Sequence, residues 1–270
     1  MFDEILACLD GSPLAETILP LAHSLASAAR ARLTLVRTII ESDDIAADES
    51  YLRDCAHSYG AQFKLLMGAD PGQVIVAELE RNPGAIAAMT THGRTAWAEA
   101  LIGSVALNII QNADRPVIVY RSRVADQKAP DTIRTIAVAL DGGEFSERII
   151  PAAVELAKVI EANLLLIQVL PVEFSKSTAP NITPGDFLES SYLHAKAAEI
   201  DRKHGIEPSW DVLHGEPGDA IPQYVRGMAD TLLAMTTHAR SGLQRAILGS
   251  VTADCIRNAG VPMMIYWPHS

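Results

Sequence analysis

Cysteine is scarce. Cys8, Cys55 and Cys255 are the three such residues among 270, odd in number and far apart. They offer neither the close pairs of a metal site nor an even disulfide framework, so a reducing cytoplasm is the expected compartment. Positive charge is also short: 22 Lys and Arg stand against 33 Asp and Glu, a formal net charge of −11. That argues against a nucleic-acid binder, which needs a basic face, and against docking on an anionic membrane. A small anion held by backbone amides remains allowed. No apolar run reaches the roughly 18 residues of a transmembrane helix. The opening MFDEILACLDGS carries an acidic pair at positions 3 and 4 and lacks a basic leader, so no signal peptide is expected. What is present is globular: 49% hydrophobic and 20% charged residues, enough apolar material to exclude disorder as the main state.

The chain repeats itself, and repeats decide architecture before anything else does. MTTHGRTAWAEALIGS (89–104) lies over MTTHARSGLQRAILGS (235–250), with eight of sixteen positions identical at an offset of 146. GSVALNIIQNADRPVIVY (103–120) lies over GSVTADCIRNAGVPMMIY (249–266). Near the starts, Asp10, Glu16 and Pro20 fall on Asp141, Glu147 and Pro151 at an offset of 131. The second copy therefore holds about 15 extra residues, which fall in the Pro- and Ser-rich stretch 171–190. That composition predicts a surface loop. Two similar domains are expected, 1–122 and 133–270, joined by the polar linker SRVADQKAPD.

Within each copy, short continuous apolar runs alternate with helical patterns. In copy one the strands are expected at Ile5–Leu9, Leu33–Val36, Phe63–Met67, Ala85–Met89 and Val117–Tyr120. Helices are expected from Ser12-Pro13 to about Ala29, over 47–59, over 72–81 and from Gly103-Ser104. Copy two predicts strands near 135–140, 163–169, 209–213, 231–235 and 262–266. Apolar strands separated by helices mean a parallel sheet covered on both faces.

Ligands of such sheets bind beyond the carboxyl ends of the strands, where the strand order reverses. Asp10 closes the first strand, Thr90-Thr91-His92-Gly93 follows the fourth, and Gly103-Ser104 opens a helix. A helix start preceded by glycine offers free N–H groups and a favourable dipole to an anion. An ordinary capped helix and an ordinary turn explain the same residues, and on spacing alone neither reading wins. Asp10 could cap its helix, but recurrence at Asp141 favours ligand contact. His92 and His238 lack a Ser/His/Asp arrangement or metal-ligand spacing and are expected to fix a loop. Arg94 and Arg240 either screen phosphate charge or lie solvated. Cys8, inside a strand, is read as a small core residue.

The pattern Thr90-x2-Gly93-x9-Gly103-Ser104, with LACLDGS before it and RPVIVYR after it, resembles the universal stress protein family over both halves. The resemblance implies two tandem five-stranded Rossmann-like α/β domains with parallel sheets of order 3-2-1-4-5, packed as a pseudo-dimer across strand five. It implies binding of ATP, with Mg²⁺, or of another adenine nucleotide. Asp10 would contact ribose or adenine, and Thr38, just past the second strand, would meet the adenine edge through its backbone. Thr90, Gly93, Arg94, Gly103, Ser104 and Val105 would surround the phosphates. The matching positions in copy two are Asp141, Val169, Gly249, Ser250 and Val251. The family motif reads Gly-x2-Gly-x9-Gly-Ser/Thr. This chain has Thr90 and Thr236 for its first glycine and Ala239 for the second glycine of copy two. A Cβ there obstructs phosphate or disfavours a positive φ, so tighter binding is expected in copy one.

The resulting expectation is a cytoplasmic stress-response protein that binds an adenine nucleotide and acts through conformation, an unidentified protein partner and a homodimer. It is not expected to be a dedicated enzyme, since no nucleophile or general base stands out. Two alternatives remain open: a slow ATP hydrolase on the same site, and a nucleotide-free interaction scaffold.

Overall fold

The computed structural model describes residues 2–41, 44–91, 102–122, 128–171, 184–237 and 248–269. The first half runs β1 (Glu4–Cys8), α1 (Pro13–Glu16), α2 (Leu19–Ala29), β2 (Arg32–Ile39), α3 (Ile45–Tyr59) and β3 (Gln62–Met67). It continues with α4 (Pro71–Arg81), β4 (Ala85–Thr90), α5 (Ser104–Asn112) and β5 (Val117–Tyr120). The second half runs β6 (Thr135–Leu140), α6 (Glu144–Glu147), α7 (Ile150–Ile160), β7 (Asn163–Leu170) and α8 (Pro184–His204). It ends with β8 (Ser209–His214), α9 (Pro217–Arg226), β9 (Thr231–Thr236), α10 (Ser250–Asn258) and β10 (Met263–Tyr266).

The chain forms two compact units, residues 1–132 with 262–270, and residues 133–261. In the first, the strands lie in the order β3-β2-β1-β4-β5, all parallel, which is the expected 3-2-1-4-5. β10 then pairs antiparallel with β5, Met263 opposite Val119. The strands ending at Tyr120 and Tyr266 are thus neighbours, and the outer edge of β5 is covered rather than left as a template for aggregation. In the second unit the order is β9-β6-β7-β8, again parallel.

Burial explains the unbroken apolar strands. Ile5, Leu6 and Ala7 on β1 are all buried, as are Ile136, Ala137 and Val138 on β6, because helices cover both faces of the sheet. The α2 stripe Ile18, Leu21, Ala22 and Leu25 packs inward as its spacing predicts.

Three expectations need correction. The helix expected from Pro13 to Ala29 is two helices, because Pro20 has no N–H to give the Glu16 carbonyl four residues back. Pro151 divides α6 from α7 in the same way. β2 extends through Ile39, so Thr38 lies within the strand, opposite Leu66, rather than past it. The stretch 171–190 is not loop throughout, since α8 begins at Pro184. A proline suits a helix start, and Leu193, Ala197 and Ile200 bury one face further along, anchoring the helix that the loop-like composition conceals. The rest of that stretch, 172–183, and linker residues 123–127 lie outside the described residues.

Two glycines mark where helices of one layer touch. A Cβ on Gly72 of α4 would come within 2.7 Å of the Asn108 Cβ on α5. A Cβ on its counterpart Gly218 would meet the Asp254 carboxylate tip at 2.6 Å and the Asp254 Cβ only at 3.3 Å. A Cβ cannot swing aside, whereas a carboxylate can. Gly72→Ala should therefore lower stability by about 2 kcal/mol through overpacking, and Gly218→Ala by less than half of that. Urea unfolding of the two variants checks the order.

Candidate functional site

At the end of β1 the chain crosses to β2 on one side, while β4 lies on the other. The carboxyl ends of β1 and β4 therefore bound an opening that no connection crosses. β6 and β9 bound its counterpart in the second unit.

Asp10 shapes the first lip of this opening. Its Oδ1 accepts the Ser12 N–H at 2.9 Å and the Ser12 hydroxyl at 2.6 Å. Ser12 Oγ in turn accepts the Ala15 N–H at 3.1 Å, so Ser12, not Asp10, caps α1. Gly11 between them has φ +82°, a left-handed conformation that glycine adopts without strain. Copy two repeats the turn: Asp141 Oδ1 accepts the Gly143 N–H at 2.8 Å across Gly142, φ +88°.

The second lip is the end of β2. Leu9 N–H donates to the Val36 carbonyl at 2.8 Å, and Gly68 N–H donates to the Ile39 carbonyl at 3.0 Å. Peptide groups alternate sides along a strand, so the N–H and C=O of Thr38 face the same side as those of Val36. β1 stops pairing at Cys8, opposite Val36. The Thr38 backbone therefore faces the opening. Val169 does likewise in copy two, where Gly215 N–H takes the Leu170 carbonyl at 3.0 Å.

The third side is a helix start. Thr90 ends β4 opposite Tyr120, and Gly103 N–H donates to the Thr91 carbonyl at 2.6 Å, tying the start of α5 to that strand end. Ser104 and Val105 are the first helical residues, and among the described residues no side chain caps the helix. In copy two Gly249 N–H donates to Thr237 Oγ1 at 3.2 Å, Ser250 and Val251 open α10, and again no side chain caps it. First-turn N–H groups left by side chains are the donors an anion uses. Gly93 and Arg94, with His92, His238, Ala239 and Arg240, lie outside the described residues.

In the second unit these pieces enclose a cavity of about 260 Å³. Asp141, Val169, Gly249, Ser250 and Val251 all line it, as does Thr236. Sequence reasoning missed Phe145, Ser146, Pro217, Ile221 and Thr252, which complete its walls. They belong to helices whose apolar faces read as core. Only tertiary packing turns one edge of those faces toward the opening. The volume is just below the roughly 300–1,000 Å³ of drug-sized sites. The lining is largely apolar, with the Thr237, Ser250 and Thr252 hydroxyls gathered at the same helix start as the Gly249–Val251 amides, which suits an apolar ring joined to an anion.

The universal stress protein family model matches residues 1–121 and again 132–266. The chain belongs to the universal stress protein family. A universal stress protein of Synechocystis is 22% identical over 239 residues, covering 88% of this chain and 70% of that one. One from Methanocaldococcus jannaschii is 26% identical over 140 residues, 49% of this chain and 81% of its own. The crystal structure of a universal stress protein from Archaeoglobus fulgidus matches with a TM-score of 0.70 at 18% identity, covering 99% of both chains, which shows the shared fold.

The two universal stress domains differ beside the site. In copy one Tyr51 on α3 donates to Glu16 Oε1 at 3.0 Å; in copy two Tyr192 on α8 donates to Glu147 Oε1 at 2.9 Å. Four residues after each tyrosine the copies part. Cys55 follows Tyr51, but Lys196 follows Tyr192 and bonds both Glu147 and Glu199 at 2.7 Å. Burial works against the Lys196 ammonium, yet its hydrogen bonds to the two carboxylates hold its pKa above the ordinary lysine value. Hydrogen bonds from Lys196 and Lys203 bring Glu199 down to about 2. The cysteines are quiet: burial pushes Cys8 and Cys255 up to about 12 and raises Cys55. Thiols so raised are poor nucleophiles.

Lys196→Met should cost about 1 kcal/mol at pH 7. A depressed carboxylate pKa contributes stability above its unfolded value, near 4.3, and that contribution is lost as pH falls toward 2. The gap between parent and variant should therefore narrow below pH 4. Urea unfolding at pH 7 and at pH 3 measures it; equal gaps would contradict the role given to Lys196.

Proposed function

We propose that this universal stress protein binds ATP or another adenine nucleotide at the carboxyl ends of its first and fourth strands in each copy. The observation that carries this is the cavity of about 260 Å³ in which an apolar slot meets the uncapped start of α10. In this reading the base lies in the slot against Val169 in copy two, and against Thr38 in copy one. Asp141 and Asp10 accept from ribose hydroxyls. The amides of Ser104 and Val105 beside Gly103, and of Ser250 and Val251 beside Gly249, take the phosphates, with Thr90, Gly93 and Arg94 nearby in copy one. An anion at a helix start gains about 0.3–1 kcal/mol from the dipole alone, so several amides must act together. Among the described residues no group of three His, Cys, Asp or Glu is placed to hold a metal; Mg²⁺ would arrive with the triphosphate.

The reading extends to two domains, 1–122 and 133–270, acting in the cytoplasm in the stress response through conformation and a protein partner. Among the described residues no helix is long and apolar enough to cross a membrane. With β5 already paired to β10, association of two chains as a homodimer uses a surface other than that edge. Binding, not turnover, is the proposed role, and the first copy is the tighter site because Ala239 stands where copy one has Gly93.

Titration calorimetry with ATP tests this. The parent should bind, and Gly103→Asp should remove the tighter site by at least tenfold in affinity, about 1.4 kcal/mol. Gly249→Asp should remove the weaker site only. If Gly249→Asp abolishes binding and Gly103→Asp does not, the working site is in the second copy. Sustained ADP release would favour the hydrolase, and no binding at all the scaffold.

A further inference from the structure

The Thr38 hydroxyl is buried and has no hydrogen-bond partner among the described residues. An orphan hydroxyl of this kind is costly and rare. The buried Arg115 Nε is the easier case, since Arg115 Nη1 is anchored on three backbone carbonyls at 2.8–3.1 Å. Nothing comparable accounts for Thr38. Its position does: the counterpart, Val169, lines the cavity of the second unit. Val is the isostere that avoids the orphan altogether. Thr38 itself is only half-buried, so the surface it shows is carried by its other atoms. One χ1 rotation of about 120° carries the hydroxyl into the well the methyl held and the methyl into the well of the Cβ hydrogen, among the staggered wells of a threonine.

Resting on the nucleotide-binding reading above, we propose that Thr38 is a specificity residue: its hydroxyl turns to bond the polar edge of the bound base in copy one, while Val169 leaves copy two to select by shape. The hydroxyl accepts as well as donates, so it accepts from the exocyclic 6-amino group of adenine. A base with that edge satisfies a group that is unsatisfied in the free protein. A base without it leaves the orphan as it was. The two halves of one chain would then rank the same ligands differently, although both bind at the same place in the fold.

The test uses the full chain, ATP, and purine riboside 5′-triphosphate, which lacks the 6-amino group. With Gly249→Asp silencing copy two, ATP should bind about tenfold tighter than the analogue. Adding Thr38→Val should bring that ratio close to one, and Thr38→Ser should keep it. With Gly103→Asp silencing copy one, the ratio should be small and should rise on Val169→Thr. Thermal unfolding without ligand gives a second reading: Thr38→Val should melt at or above the parent, because it removes an unsatisfied group. A ratio unmoved by Thr38→Val while ATP still binds, or a lower melting point for that variant, overturns the inference and leaves nucleotide binding standing. Loss of ATP binding in the parent itself would remove both.

Discussion

Burial of a parallel sheet on both faces is the constraint from which the rest of this molecule follows. A parallel strand cannot be joined to its neighbour by a tight turn, so every connection must cross over, and here nearly every crossover is a helix. Covering both faces requires the chain to wind outward from β1 in two directions, first to β2 and β3, then to β4 and β5. The reversal leaves the carboxyl ends of β1 and β4 unbridged. An opening at that place, floored by apolar strand ends and faced by helix starts, is a by-product of building the core. Function needs only to furnish it.

The furnishing is done with backbone more than with side chains. The turn after β1, the Thr38 and Val169 peptide groups and the uncapped starts of α5 and α10 all present main-chain polar groups, fixed in place by the sheet. Side chains tune this frame. Asp10 and Asp141 hold the first turn by accepting from the N–H two residues on. Main-chain donors set by the fold cost little ordering entropy on binding, and the proposed anion site would draw on that.

Duplication gave two such openings, and the copies have since diverged around them. Cys55 and Lys196 follow equivalent tyrosines, so Glu147 has a cation where Glu16 has a thiol. Thr38 and Val169 differ by a hydroxyl for a methyl at the same place on the second strand. The second exchange leaves the side-chain volume nearly unchanged and alters only the local polarity, whereas the first changes both.

Much of this was legible in the residues. The repeat and the continuous apolar strands follow from short-range patterns and from self-similarity, which a chain carries in one dimension; the strand order and the grouping of Asp141, Val169, Gly249, Ser250 and Val251 are what the family resemblance implied. Three things were not. The division of the first helix depends on a carbonyl four residues before Pro20, a local signal that the longer apolar stripe overrode. The helix α8 that begins at Pro184 is held by burial of Leu193, Ala197 and Ile200 as it packs on β7 and β8. The walls supplied by Phe145, Ser146, Pro217, Ile221 and Thr252, and the unpartnered hydroxyl of Thr38, exist only once helices are laid against the sheet. Sequence determined which elements form and where the chain repeats, because those depend on neighbours along the backbone. Tertiary structure alone decided which side chains meet at the opening and, among the described residues, that the buried Thr38 hydroxyl finds no partner, because those depend on contacts between segments rather than on neighbours along the backbone.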